Sequence, residues 1–501
     1  MFSYRKAFWT FLIVLSGFRL LWIGLGIFDL VPDEAYYWDW SRHPDWSYYS
    51  KGPMVAYLIY LSTHLGGNNA FWVRLPSVIL SILTMWLIFR FSLILFRNDR
   101  IAFYTILVFS CIPLFFAGSM LMTIDCPLFF FWTLAIYSLY RAIFLDQKSY
   151  WWLAGLALGL GLMTKFVMIF WIISLFLFLI TSPKYRHHLK SRYLYLCILL
   201  GLLFLIPQLY WNYKHQWAMF VHFIHKGGIG EGIKFRPLNF LRFIGAQAGV
   251  ISPLLFAGVL YTMYESLRRG FKIGEENFRF LSSFFIPILI FYTLLSFHNK
   301  IGTNWIVVAY LTLIVGGVFL WDEFRQRLVN QNQIKNLKRL TLFSLGLGVF
   351  SIAILFFSDV LYFLPIKIPT NIDPSNRVKG WKQFGKEIDQ RLKSIKSEKE
   401  IFLLSNMYQY CAEASFYTPG QPNINCYSSN PFRNEYYFWN DFKQLKGQDC
   451  LYFGPHKNKI LEAFNSVEKL PSINIYRQGR LISAFDVYYC SDFKGFPHLE
   501  K

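Results

Sequence analysis

The chain has 501 residues, of which 55% are hydrophobic, 20% are aromatic and only 16% are charged. An ordinary soluble domain has about 25% charged residues, so this composition indicates a membrane protein. The net charge of +21 is compatible with nucleic-acid binding, but most basic residues fall in loops between apolar segments. Membrane topology explains the charge, and we expect no nucleic-acid partner.

Apolar segments long enough to cross a bilayer recur through residues 1–357, since a core of about 30 Å takes about 20 helical residues. We predict about eleven spanning helices and a polytopic α-helical fold. No small-x-small cleavage site follows the first segment, which is therefore expected to stay as an anchor. The predicted spans are 8–30, 73–96, 101–118, 127–145, 150–163, 166–181, 194–210, 241–264, 279–297, 305–321 and 340–357.

Lys and Arg are concentrated in alternate loops, which predicts the sidedness of the chain, because cytoplasmic loops carry the excess of positive charge. A cytoplasmic N-terminus puts the first loop, the turn around Asp125, the loops 211–240 and 298–304, and the tail beyond residue 358 outside the membrane. Several basic residues on that side oppose the bias and predict an anionic partner such as a lipid phosphate. They are Lys51, Lys165, Lys214, Lys226, Lys234, Arg236 and Lys300.

Residues 358–501 have a mixed, charged composition and are numerous enough for one compact extracytoplasmic domain. Helical patterns at 380–396 and 408–417 alternate with apolar strand patterns at 400–406 and 449–454, which predicts a small α/β domain. Residues 1–357 are then the membrane domain. Four cysteines lie in the tail, and their spacing leaves open whether they form disulfides or remain unpaired: Cys411, Cys426, Cys450 and Cys490.

Acidic and basic residues follow three of the predicted spans on the same side. Asp33 and Glu34 follow the first span, Lys51 lies in a Pro-restrained turn, and Asp125 and Lys165 lie at further helix ends. An Asp-Glu pair alone marks a water interface, whereas the whole set favours a shared cavity at membrane depth. Such a cavity suits a sugar donor whose leaving group is a lipid phosphate. Lysines neutralise the departing oxyanion, a carboxylate acts as general base, and aromatic rings stack on sugar faces.

Two other polar features have simpler interpretations. Arg19 lies within the first span, where a charge is costly unless it is paired inside the bundle, so we expect a structural role. The aromatic loop 207–226 contains a candidate zinc set, His215, His222 and His225, without a nearby carboxylate. Anchoring at the membrane interface is the simpler interpretation of that loop.

Six segments along residues 10–320 together resemble the GT-C superfamily of polytopic glycosyltransferases. Within it they are similar to bacterial relatives of dolichyl-phosphate-mannose protein mannosyltransferases and of the lipid A aminoarabinose transferase, families thirty-nine and eighty-three. The tail segment SNMYQYCAEASFYTPGQPNINC also resembles the C-terminal domain of these bacterial members. The six segments are DEAYYWDWSRH, YYSKGPMVAYL, TIDCPLFFFWTLAIY, GLALGLGLMTKF, PQLYWNYKHQW and HNKIGTNWIVVAY.

The resemblance implies a glycosyltransferase of the inner membrane that moves a hexosyl or pentosyl group from a polyprenyl-phosphate carrier to an extracytoplasmic acceptor. A glycolipid of the lipid A or lipopolysaccharide type is the first choice of acceptor and a protein the second, with membrane lipids as surroundings. We expect a catalytic set of carboxylates and a phosphate-binding set of lysines. These are Asp33, Glu34 and Asp125, and Lys51, Lys165 and Lys300.

Two positions depart from the family pattern. The aminoarabinose transferases have a metal-binding Glu where this chain has Ser50, and an Arg where it has Tyr36. We therefore predict no metal ligands, while a divalent metal stays open as a cofactor. The rival hypothesis is a flippase or transporter of polyprenyl-linked lipids, but transporters place polar residues near the midplane, often in repeated halves.

Overall fold

A computed structural model of the chain describes residues 3–228, 235–357, 374–428, 434–455 and 458–497. Helices dominate these ranges up to residue 357, and every strand follows residue 400. The helices are α1 Tyr4–Leu25, α2 Pro32–Arg42, α3 Met54–Gly66, α4 Ala70–Phe96, α5 Asp99–Ser110, α6 Pro113–Gly118, α7 Asp125–Phe144, α8 Ser149–Leu162, α9 Ile169–Thr181, α10 Arg192–Leu203, α11 Ile206–Lys214, α12 Ala218–Gly227, α13 Pro237–Ile251, α14 Pro253–Leu267, α15 Glu276–Ser283, α16 Ile286–Ser296, α17 Ala309–Arg327, α18 Gln331–Phe356, α19 Trp381–Ser394, α20 Tyr408–Tyr417, α21 Tyr436–Trp439 and α22 Asn458–Leu461.

Within the described residues, six segments are long and apolar enough to cross a membrane, or seven if a bent helix pair counts as one span. Shorter apolar helices lie beside them at Met54–Gly66, Ser149–Leu162 and Phe166–Thr181. The predicted number of eleven spans stays a prediction, because these segments are identified as candidate spans by length and composition alone. The six segments are Tyr4–Leu25, Ala70–Phe96, Asp125–Phe144, Arg192–Lys214, Glu276–Ser296 and Gln331–Phe356.

The predicted span 241–264 is wrong as a single straight helix. Helices α13 and α14 meet at Ser252 with a bend of 110°. Ser252 has φ 92 and Pro253 begins the next helix. Proline lacks the backbone N–H that a continuous helix needs and keeps the preceding residue out of helical conformation. This stretch is largely apolar on both sides of Ser252, so its composition did not indicate the break.

The tail folds around a five-stranded sheet of order β2-β1-β3-β5-β4. Strands β1, β2 and β3 are parallel, whereas β5 is antiparallel to both β3 and β4. The four predicted elements correspond to α19, β1, α20 and β3, so the α/β prediction is confirmed. The long β4–β5 hairpin was not predicted. The strands are β1 Ile401–Ser405, β2 Asn425–Cys426, β3 Asp449–Phe453, β4 Phe464–Arg477 and β5 Arg480–Phe493.

The predicted domain boundary at residue 358 lies outside the described residues, but the tail clearly packs on α2. Trp38 of α2 makes an edge-on contact with Phe416 of α20, with ring centres 4.8 Å apart. Arg42 Nη1 donates a hydrogen bond of 2.8 Å to Ser415 Oγ. Trp38, Trp40 and Phe416 belong to one buried cluster shared by both parts of the chain. Helix α2 is therefore enclosed between the long helices and the tail.

A buried ion pair fixes the start of α2. Arg74 of α4 donates from Nη2 to Glu34 Oε2 at 2.6 Å and from Nε to Oε1 at 2.9 Å. Both side chains are buried. Arg74 also binds the carbonyl oxygens of Phe28 at 3.0 Å and Asp29 at 2.8 Å. The Met122 N–H donates to Glu34 Oε1 at 2.8 Å, so this pair joins α1, α2, α4 and the segment before α7.

We expect Arg74→Met to destabilise the protein strongly, because it leaves the Glu34 carboxylate buried without a counter-charge. Losing one partner of a buried pair typically costs about 3–5 kcal/mol. The double variant Glu34→Leu/Arg74→Met removes both charges and should recover part of that loss. Thermal unfolding of the purified protein in detergent measures both. A single variant as stable as the wild type would contradict this role for the pair.

Candidate active site

Asp33 and Glu34 are neighbours in sequence but face different surroundings. Pro32 occupies the first turn of α2, and the Val31 N–H donates to Glu34 Oε2 at 3.0 Å. This capping arrangement and the two first-turn carboxylates suit a helix N-terminus. The Glu34 carboxylate is occupied by hydrogen bonds to protein groups, whereas the Asp33 side chain is exposed. Asp33 is thus the carboxylate of this pair that a substrate can reach.

The hydroxyl of Tyr408, from the tail, donates a hydrogen bond of 3.3 Å to Asp33 Oδ1. Although the Asp33 side chain is exposed, desolvation by the surrounding protein raises its pKa, against the lowering effects of Tyr408 and Lys51. A carboxylate with a raised pKa is a stronger base than a free aspartate. The Asp33 environment therefore fits a group that accepts or orients a proton.

The turn that carries Lys51 is held by a short backbone bridge and a close contact. Tyr48 and Lys51 exchange backbone hydrogen bonds of 3.1 and 3.4 Å. At Gly52, an added Cβ would lie 2.1 Å from the carbonyl oxygen of Met163, which also accepts the Met54 N–H at 3.1 Å. Only glycine permits this approach. The contact fixes Lys51 beside the segment that ends in Lys165.

Lys51 lies among charges of both signs. Desolvation, followed by the positive charges of Lys226 and Lys165, lowers the pKa of Lys51 to about 7, against the raising effects of Asp125 and Asp33. Its Nζ lies 5.7 Å from the ring centre of Phe223. Two carboxylates and three lysines therefore share one site, and the lysines repel one another in the absence of an anion.

Asp125 begins α7 and is bound on both oxygens. Lys165 Nζ lies 2.9 Å from Asp125 Oδ1, and the Asn304 side-chain amide donates to Oδ2. The three residues come from separate parts of the chain, so Asp125 holds the α7, α8 and α17 regions together at the site. Asp125 and Lys165 were both predicted to be here, and the structure brings them into direct contact.

Lys226 belongs to the group of charges around Lys51, whereas Lys300 has no side-chain partner among the described residues. Lys226 is exposed at the end of α12, with Nζ 5.3 Å from the ring centre of Trp305. Desolvation and the charge of Lys165 lower the pKa of Lys226. Lys226 was among the basic residues that oppose the positive-inside bias, but the predicted phosphate-binding lysines included Lys300 and not Lys226. Lys234 lies outside the described residues.

The tail supplies residues that the motif comparison did not select. Tyr408 contacts Asp33 directly. Desolvation raises the pKa of both groups, and the positive charge of Arg377 opposes this rise. Tyr36, at the position of the family's Arg, is buried and accepts the Glu435 N–H at 2.6 Å. Tyr36 therefore joins α2 to the tail. In the sequence, only the position of Tyr36 after the first span could have indicated its contact with the tail.

The described residues do not form a complete set of protein ligands for a divalent metal. No group of three His, Cys, Asp or Glu side chains in the described ranges is arranged to hold an ion. Ser50 is a buried hydroxyl where the family has a carboxylate. His215 stacks on Trp211 with ring centres 4.0 Å apart, and His222 meets the Tyr49 ring edge-on at 5.0 Å. These histidines serve aromatic packing.

Known proteins match parts of this chain. The family model for dolichyl-phosphate-mannose-protein mannosyltransferase matches residues 50–211. Lipid A galacturonosyltransferase RgtD of Rhizobium johnstonii is 27% identical over 319 residues, 62% of this chain and 65% of that protein. Undecaprenyl phosphate-alpha-4-amino-4-deoxy-L-arabinose arabinosyl transferase of Photorhabdus laumondii is 31% identical over 174 residues, 31% and 30% of the two chains. The chain thus aligns with less than two thirds of either relative.

Solved structures show the same fold over nearly the whole chain. ArnT from Cupriavidus metallidurans in the apo state has a TM-score of 0.66 at 15% identity, covering 97% of this chain and 98% of that chain. The Archaeoglobus fulgidus oligosaccharyltransferase in the apo form has a TM-score of 0.52 at 12% identity, covering 88% and 66%. The chain is thus similar in sequence to lipid-linked glycosyltransferases over part of its length, and it shares the fold of polytopic glycosyltransferases.

Proposed function

We propose that this protein transfers a sugar from a polyprenyl-phosphate carrier to an acceptor at the extracytoplasmic face of the inner membrane. The observation that carries the proposal is the cluster around Lys51, whose pKa is influenced by the charges of Lys165, Lys226 and the accessible carboxylate Asp33. Lysines that repel one another in the free protein are stabilised by a bound phosphate. The experiment that tests this proposal measures sugar transfer by the purified protein from a polyprenyl-phosphate sugar.

The proposed reaction breaks the bond between the sugar's anomeric carbon and the phosphate oxygen, and forms a bond from that carbon to an acceptor oxygen. Lys51, Lys165 and Lys226 take up the negative charge on the departing carrier phosphate. Asp33 accepts the proton of a hydroxyl acceptor. If the acceptor is an ionised phosphate, no proton moves and Asp33 orients the acceptor instead.

Asp125 and Glu34 have positioning roles in this proposal. Both oxygens of Asp125 bind protein groups, Lys165 and Asn304. Glu34 is fully buried against Arg74. Neither carboxylate is free to activate an acceptor, so Asp33 carries that role alone. Lys226 replaces Lys300 as the third cation of the site.

The relatives support a lipid-linked donor and a lipid A-type acceptor, with a protein as the second choice of acceptor. One relative is named for galacturonosyl transfer to lipid A, and another for an arabinosyl transfer from undecaprenyl phosphate. A hexuronic acid and an aminopentose differ in both size and charge. The flippase hypothesis is disfavoured because the charged residues gather at one end of the helices around a carboxylate. Mass spectrometry of envelope lipids with and without the gene identifies the product.

The proposed orientation places the tail and the Asp33 site outside the cytoplasm. A reporter fused after residue 358 should then signal an extracytoplasmic position, and one fused near residue 330 a cytoplasmic position, because alternate loops carry the Lys and Arg excess. Paired alkaline phosphatase and green fluorescent protein fusions measure this. Reversed signals would place Asp33 on the cytoplasmic side and contradict the proposal.

We expect Asp33→Asn to abolish transfer without affecting folding. Losing a general base typically costs about two to four orders of magnitude in rate. Because the pKa of Asp33 is raised, wild-type kcat/KM should also fall with decreasing pH at values above those of a free aspartate. Asp441→Asn, at an exposed position of the tail, is the matched control. Turnover above half of the wild-type value in Asp33→Asn would remove Asp33 from the reaction.

Lys51→Ala should reduce kcat/KM for the donor while protein abundance stays unchanged, because the carrier phosphate loses a contact. In the wild type, kcat/KM should fall as pH rises through about 7, the pKa to which Lys51 is lowered. Lys51→Arg keeps its charge throughout this range, so its remaining activity should lack that alkaline decline. Lys459→Ala, exposed in the tail, is the control. An unchanged alkaline decline in Lys51→Arg would assign it to another group.

A further inference from the structure

Arg19 is a buried arginine whose charge has no carboxylate partner. Its Nη1 donates to Ser81 Oγ at 3.1 Å and to Met85 Sδ at 3.4 Å. Among the residues that the structure describes, no carboxylate lies within ion-pair distance, and Nε has no acceptor. The side chain is only 2% exposed. The planar guanidinium presents its N–H groups as forks that bind both oxygens of a carboxylate.

Other buried arginines of this chain show the contrast. Arg74 pairs with Glu34, Arg269 with Glu323, and Arg279 with Glu276. Arg19 instead lies in α1, six residues before its last residue, about 9 Å from that end at 1.5 Å per residue. An arginine within a spanning helix is costly unless a partner offsets its charge. The missing partner is therefore a feature that requires an explanation.

Arg19 lines a cavity of about 220 Å³ between α1, α4, α5 and α7, which extends to Asp125 and Asn304 at the candidate active site. Phe109, Phe115 and Phe129 supply much of its apolar wall. Hydroxyl groups line it as well, and each can accept a hydrogen bond from a ligand: Ser81, Thr84, Ser110, Ser119 and Thr123. Aromatic faces and hydroxyls together suit a sugar ring.

The charges that line this cavity do not balance. Among the described residues, Arg19 and Asp125 are the only formally charged ones that line the cavity, and Asp125 is already paired with Lys165 at 2.9 Å. The charge of Arg19 is thus the one left uncompensated in the lining. It attracts an anionic ligand and repels a cationic one.

We propose that the cavity receives the donor sugar and that Arg19 binds a carboxylate on it, so that acidic sugars are the preferred donors. This inference rests on the proposed function and selects between the acidic and the amino sugars considered there. Arg19 does not contact the bond that breaks, and it acts as a specificity-determining residue. The carrier phosphate stays with Lys51, so the two anionic groups of the donor have separate partners.

The test compares two polyprenyl-phosphate donors that share a pyranose ring and differ only at C6, which carries a carboxylate in one and a hydroxymethyl group in the other. Wild-type protein should favour the carboxylate donor by at least tenfold in kcat/KM. Arg19→Gln should reduce this preference at least tenfold, mainly through KM, and Arg19→Lys should retain part of it. Arg90→Gln, at an exposed position of α4, should leave the preference unchanged.

Binding of each donor, measured as thermal stabilisation without acceptor, separates the possible outcomes. Stabilisation of the wild type by the carboxylate donor, lost in Arg19→Gln, supports the inference even if transfer fails for lack of the right acceptor. Equal losses with both donors would make Arg19 a structural residue and overturn it. So would a wild-type preference for the neutral donor or for an aminosugar. If phosphatidylglycerol alone gives Arg19-dependent stabilisation, the ligand is a lipid headgroup and the inference is wrong. Normal donor binding with no transfer to any lipid acceptor would count against the proposed function instead.

Discussion

The position of the candidate active site depends on the buried ion pair between Glu34 and Arg74. A buried charge pair is retained only if nearly all its hydrogen-bonding groups are satisfied, and this pair meets that condition by binding backbone groups of the α1–α2 connection and of the segment before α7. It thereby sets the direction in which α2 leaves α1. Asp33 precedes Glu34 on the same helical turn, so fixing one carboxylate inward turns the other toward the accessible side. The position of Asp33, the proposed reactive residue, therefore depends on the buried contacts of its neighbour Glu34.

The tail completes the site from the opposite side. Tyr408 binds Asp33, and Glu435 accepts the Tyr49 N–H at 2.6 Å, two residues before Lys51. Burial raises the pKa of Glu435 to about 8, so this contact involves a largely protonated carboxyl near neutral pH. A neutral acid at that place binds the turn without adding a counter-charge that would compete for Lys51. The tail thus acts on both the carboxylate and the lysine that the proposed reaction uses.

Sequence reasoning selected the candidate site residues through charge, because charged residues beside apolar spans are few and the Lys and Arg bias predicts their side of the membrane. It found Asp33, Lys51 and the partners Asp125 and Lys165 in this way. It did not predict what distinguishes the surroundings of Asp33 and Glu34, since the arginine that pairs with Glu34 lies forty residues away. Nor did it predict the effect of Lys226 on Lys51, because that effect depends on how α12 folds back. The fold was predicted where elements have strong patterns. The bend at Ser252 and the β4–β5 hairpin lack such patterns and depend on tertiary packing.

The arrangement of charges gives the donor site a built-in dependence on its ligand. In the free protein Asp125 offsets Lys165, while desolvation lowers the pKa of both Lys51 and Lys226. The positive charges of Lys226 and Lys165 lower the pKa of Lys51 further, and that of Lys165 lowers the pKa of Lys226. A phosphate bound between them removes that repulsion, so donor binding and the protonation of Lys51 reinforce each other. In the proposed reaction the carrier phosphate gains negative charge as the sugar departs, and the same lysines bind it more strongly than they bound the intact donor. The proposed site is then more complementary to the charge of the transition state than to that of the substrate, which is the requirement for catalysis by electrostatic stabilisation.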